Sequence, residues 1–168
     1  MAPLCRIFPS VNRQQSALFA GDDILCARAS RLAERTHELS DFLVNVVGRD
    51  DLGASFKGRV TWHDACHGLR ELGIRNEPRA LISGVSGAEL IDLPSAESCC
   101  GFGGTFSVKY PAISVAIVDQ KIDAIEAANV RAVVSGDASC LMQLGGRLSR
   151  RGSAVKVMHL AELLATRE

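Results

Sequence analysis

The sequence carries no net charge, few aromatic residues and no long apolar run, and each absence excludes a class of function. Lys plus Arg and Asp plus Glu both number 19, so the formal charge is zero. A nucleic-acid groove or an acidic tail would leave an imbalance, so neither is expected. Aromatic residues make up 5% of the chain, with one Trp and one Tyr, too few for a base-stacking platform. No stretch of about 18 uncharged apolar residues occurs, which argues against a membrane-spanning helix and against direct insertion. The opening "MAPLCRIFPSVNRQQ" lacks the apolar core of a secretion signal. A cytoplasmic protein is expected, with no internal repeat and no low-complexity segment.

What is present is sulfur. Six cysteines occur in 168 residues, 47% of which are apolar and 23% charged, the composition of one soluble globular domain. Structural disulfides are rare in the cytoplasm, which leaves metal ligands, redox thiols or buried packing residues. The stretch "LPSAESCCGFGG" (93–104) sets Cys99 beside Cys100 and follows them with Gly101, Gly103 and Gly104. Such glycines permit positive φ and close backbone approach, a use more natural at a site than in a core.

The hydrophobic pattern predicts an irregular segment over 1–21 and a helical lead-in over 22–58. Within the lead-in, Ile24, Leu25, Leu32, Leu39, Phe42, Leu43, Val46 and Val47 recur at helical spacing between a capping Asp22 or Asp23 and Gly48. From 59 to 168 strands and helices alternate. Strands are predicted at 59–63, 88–93, 131–135 and 154–158, and helices at 77–83, 111–128, 138–151 and 159–166. This alternation implies an α/β fold with a parallel sheet of about four strands and helices on both faces.

On that scaffold Cys66 follows the first strand, Cys99 and Cys100 the second, Asp137 and Cys140 the third, and His159 the fourth. Loops at the carboxyl ends of parallel strands share one edge, where ligands usually bind. Soft thiolates select zinc, copper(I) or iron–sulfur clusters. A structural zinc site usually uses short paired knuckles. Here 32 residues separate Cys66 from Cys99 and 39 separate Cys100 from Cys140, so a site assembled by the whole fold is the better match. The N–H groups of the glycine turn can donate to cluster sulfides.

The runs "HDACH" (63–67), "CCGFGGTFSVKYP" (99–111) and "SGDASCLMQLGG" (135–146) resemble the cysteine-rich CCG domain. That domain occurs in heterodisulfide reductase, in the iron–sulfur subunit of glycolate oxidase and in the LutA-like lactate-utilization branch. The family pattern is a cysteine, a CC pair and a CxxC; Asp137 stands where the first cysteine of CxxC would be. The resemblance implies that Cys66, Cys99, Cys100 and Cys140 hold an iron–sulfur cluster of the [4Fe–4S] kind, with zinc as the alternative. Asp137 is either a further ligand or simply a helix cap. It also implies electron transfer within a lactate- or glycolate-oxidising complex whose other subunits are partners. The residues show no hydride-transfer or acid–base site, so no catalysis by the chain alone is expected. LutA-like chains carry two such repeats, and only the second is expected here, with self-association through an exposed apolar patch as a consequence.

Each remaining signal has a bland counterpart. His67, beside Cys66, is the preferred outer donor to the site, and His63 reads as a core residue at a strand end. Cys26 fits a small buried hydrophobe on a helix, and Cys5 is unassigned. The basic run "RLSRR" (147–151) fits a solvated helix terminus, with a docking surface as the alternative.

Overall fold

The computed structural model describes residue 19, residues 21–94 and residues 96–168. The irregular segment expected over 1–21 and Cys5 therefore lie almost wholly outside the described residues. The elements in chain order are α1 (Asp23–Glu34), α2 (Leu39–Asp41), β1 (Ser55–Trp62), α3 (Glu77–Ser83) and β2 (Ser86–Leu90). They are followed by α4 (Thr105–Lys109), α5 (Pro111–Ala127), β3 (Ala132–Ser135), α6 (Ala138–Arg150), β4 (Lys156–His159) and α7 (Leu160–Ala165). Two π-helical turns, Phe42–Val46 and His67–Glu71, follow α2 and β1.

The four strands form one sheet in the order β2-β1-β3-β4, and every pairing is parallel. The expected α/β architecture is thus present. β1 sits in the middle, with Val60 opposite both Leu90 and Ala132. The chain winds outward from β1 to β2, then passes back across β1 to β3 and β4. That reversal leaves a crevice between the carboxyl ends of β1 and β3, the usual ligand position in such sheets. β3 is buried at all four positions, as a central strand covered on both faces should be.

The sheet separates two cores. On one face Phe56, Val60, Trp62, Ala132 and Val134 pack with Leu81 and Ile82 of α3 and with Leu160, Leu163 and Leu164, where α7 lies. On the other, Val133 packs with Val118, Ile122 and Ile125 of α5 and Leu144 and Leu148 of α6. Alternate residues of β3 point to opposite cores, the period-two rule of a strand. Pro111 opens α5, where its missing N–H costs nothing.

Several boundaries differ from the sequence reading. The second strand runs Ser86–Leu90 rather than 88–93, although Ile91 N–H still donates to Val60 O at 2.8 Å. The α1 part of the lead-in's apolar stripe joins no core: Ile24 is 74% and Leu32 52% exposed and only Ala29 of α1 is buried, whereas Leu43 further along packs against the core below α3 and α7. Asp22 caps α1, accepting from Leu25 N–H at 2.9 Å. The one-turn α4 was hidden by the glycines preceding it.

Candidate metal centre

β1 delivers His63 and Cys66 to the crevice, and β3 delivers Asp137 and Cys140. His63 N–H donates to Val134 O at 2.8 Å and Ser135 Oγ donates to His63 O at 3.0 Å, which fastens the two strand ends together. Asp137 caps α6, accepting from Ser139 N–H at 2.9 Å and Cys140 N–H at 3.2 Å. The cap orients the first turn of α6 and so aims the Cys140 side chain inward.

The CC turn closes the crevice from above. Gly101, Gly103 and Gly104 have φ of 82°, 53° and 59°, left-handed values that favour glycine. At Gly101 a Cβ would lie 2.6 Å from Ser114 O, so the turn rests directly on α5. Ser114 Oγ donates to Gly101 O at 2.8 Å and accepts from Gln143 Nε2 at 3.0 Å. Helices α5 and α6 thereby both hold the turn.

Cys100 and Cys140 are buried with their sulfurs 3.2 Å apart. A nitrogen of His63 and these two sulfurs lie within 4.8 Å of one another. His63 is 1% exposed, and neither ring nitrogen meets a hydrogen-bond partner. A buried imidazole left unbonded is costly, and its position beside two thiols suits a metal ligand. Cys66 and Cys99 are exposed at the rim. Cys99 Sγ accepts from Gly101 N–H at 3.2 Å, and the amides of His67 and Phe102 donate to Cys66 and Cys100.

The electrostatics follow from these contacts. Cys140 bonded to Cys100 pulls the Cys100 thiol well below its ordinary value, against burial and with help from His63. The same bond, then burial, pushes Cys140 up. The pair thus shares one proton, held on Cys140. Burial, then the charges of Cys99 and Cys100, raises Cys66. A thiolate is the form that binds metal, so Cys100 is poised, while Cys66 and Cys140 need the cation to displace their protons.

The donor set fits a metal. The structure brings Cys100, Cys140 and His63 together, with Cys66 and Cys99 facing solvent beside them. His67, the preferred histidine in sequence, begins the π-helical turn and is not part of that group. His159 is occupied elsewhere: it caps α7, and its Nε2 lies 3.0 Å from Gly136 O. The run 147–151 pairs with α5, where Arg147 Nε and a terminal nitrogen reach Asp119 at 2.6 and 2.8 Å. Cys26 is half-buried, its sulfur donating to Phe19 O at 3.0 Å.

The family description of the CCG cysteine-rich domain matches residues 60–145, a span that contains every strand-end cysteine. The chain belongs to the CCG cysteine-rich domain family. This CCG protein is 46% identical over 155 residues to lactate utilization protein A of a Geobacillus species, covering 92% of this chain and 65% of that protein. The Bacillus subtilis protein of the same name is 45% identical over 155 residues, with coverage of 92% and 65%. That of Geobacillus kaustophilus is 48% identical over 150 residues, with coverage of 89% and 63%. The CCG chain spans less than two thirds of the length of these relatives.

Proposed function

We propose that the chain is an iron–sulfur electron-transfer component of a lactate- or glycolate-oxidising system, acting in the cytoplasm. Other subunits supply the organic-acid chemistry. Cys66, Cys99, Cys100 and Cys140 would hold the cluster, and such a cluster supplies one-electron chemistry when bound. The chain's own residues position the sulfurs, exclude water from Cys100 and Cys140, and solvate sulfur with main-chain amides. The observation that carries the reading is the meeting of Cys100 and Cys140, 40 residues apart in sequence, within a CCG domain. Among the described residues no helix is long and apolar enough to cross a membrane.

A second reading has its own observation. Two thiolates on one tetrahedral zinc stand about 3.8 Å apart, given Zn–S bonds of about 2.3 Å. The 3.2 Å pair with His63 alongside needs little widening for a single ion. A cluster, which gives each cysteine its own iron, needs more.

Anaerobic purification with iron, sulfide and zinc analysis separates the two. Matching iron and sulfide, with a paramagnetic signal on reduction, is the expected result. Stoichiometric zinc without sulfide selects the second reading, and no metal at all sinks both. Cys100→Ser should lose metal under either reading. His63→Gln should keep iron under the first and lose zinc under the second.

A further inference from the structure

Lys121 lies in the middle of α5 and is 0% exposed, packed into the sulfur-bearing core between neighbours such as Val118, Ile122 and Ile125. The other three lysines, Lys57, Lys109 and Lys156, are exposed. Burying an ammonium is expensive unless its donors are satisfied. Its stem alone would serve the core as well if it were Met or Leu, so the charged end requires a reason.

That end reaches the loop entering the CC turn. Lys121 Nζ donates to Ala96 O at 2.8 Å and to Ser98 Oγ at 3.3 Å. Ala96 O also accepts from Asp64 N–H at 3.2 Å. One carbonyl oxygen therefore joins α5, the segment just before Cys99 and the segment just before Cys66. Asp64 is itself fixed, accepting from Trp62 Nε1 at 2.8 Å and from Arg79 at 3.0 and 2.7 Å. Burial lowers Lys121 from 10.5 to about 8, against the nearby negative charges of Asp64 and Cys100, so it stays charged at neutral pH.

We infer that Lys121 is a positioning residue for the metal centre: it clamps the two cysteine-bearing loops together and lays a fixed positive charge behind their sulfurs. The inference rests on the reading that these thiols bind metal. Several thiolates around a divalent cation leave a net negative charge, which a nearby ammonium stabilises.

The test uses the full chain, metal-free and then titrated with cobalt(II) at pH 7. Lys121→Met should speed amide exchange at least about tenfold at Asp64 and across 96–101, while β3 and β4 keep their protection. Its cobalt affinity should fall about tenfold. Lys121→Gln, with a donor but no charge, should recover much of the exchange protection and still bind cobalt weakly, which a purely structural role would not produce. Unchanged exchange in Lys121→Met overturns the clamp, and so does a loss of protection spread evenly through β3 and β4. Native cobalt affinity in both variants overturns the charge role. If Lys121→Met does not fold, nitrogen NMR of the native chain decides. One slowly exchanging lysine ammonium is expected, and four equivalent solvent-exposed ones overturn the proposal. A native chain that binds neither cobalt nor iron sinks the metal reading, while the exchange comparison still tests the clamp.

Discussion

On the face of the sheet covered by α3 and α7, Phe56, Trp62, Leu81 and Leu163 meet with no cysteine in their core. On the opposite face Val118, Ile122 and Leu144 share their core with Cys100 and Cys140, and Lys121 is buried there too. Both faces bury branched aliphatic side chains, yet only one admits thiols and an ammonium. The thiols and the ammonium are placed where α5, α6 and the CC turn can bond them, while the buried carboxylate of Asp64 is held by Trp62 and by Arg79 of α3. The apolar face is left to hold the sheet, so that stability and chemistry are assigned to different sides of the same strands.

Substitutions on the two faces should therefore separate folding from metal binding. Leu81→Ala, at a fully buried site on the apolar face, should cost about 2–5 kcal/mol in urea unfolding. The folded fraction should still bind cobalt like the native chain; a parallel loss of affinity would erase the contrast. Gly101→Ala, on the other side, forces a side chain into φ 82° against Ser114 O. Its cost should be about 1–3 kcal/mol, with cobalt binding lost out of proportion to stability. Ser114→Ala removes the hydroxyl that braces the same turn and should cost about 1 kcal/mol, again with weakened metal binding.

The smallest effect concerns acid. The hydrogen bond from Arg147 holds Asp119 below its ordinary 3.8, so this exposed link between α5 and α6 stabilises the fold above that value. Its contribution should vanish as pH falls below 3.8, since protonation removes the carboxylate that Arg147 engages. Thermal unfolding of Asp119→Asn should show a slightly weaker dependence on pH in that window.

Much of the scaffold was legible because parallel strands and their helices differ in period. The helix over 77–83 and the starts of α5 and α6 are marked by Pro111, by Asp137 and by runs of branched residues. That Cys66, Cys99, Cys100 and Cys140 share one sheet edge is an expectation drawn from strand ends alone, of which the structure brings Cys100 and Cys140 together. The histidines were not legible in the same way. His63 and His67 flank Cys66 in one pentapeptide, and only the start of the π-helical turn decides which of them looks inward. His63 carried one usable signal, since a residue ending the central strand of a parallel sheet points at the crevice. Lys121 gave none, because one lysine in an amphipathic helix reads as solvent-facing. The stripe of α1 misled for the opposite reason, because periodicity reports an apolar face but not whether anything covers it.

The sulfurs of Cys66, Cys99 and Cys100 each take a proton donor from the main chain one or two residues downstream. Amides of the peptide backbone are present whatever side chain is attached, so drift among neighbouring residues leaves this solvation of sulfur intact. Only a change in the path of the chain, such as Phe102→Pro, which deletes a donor outright, reaches it.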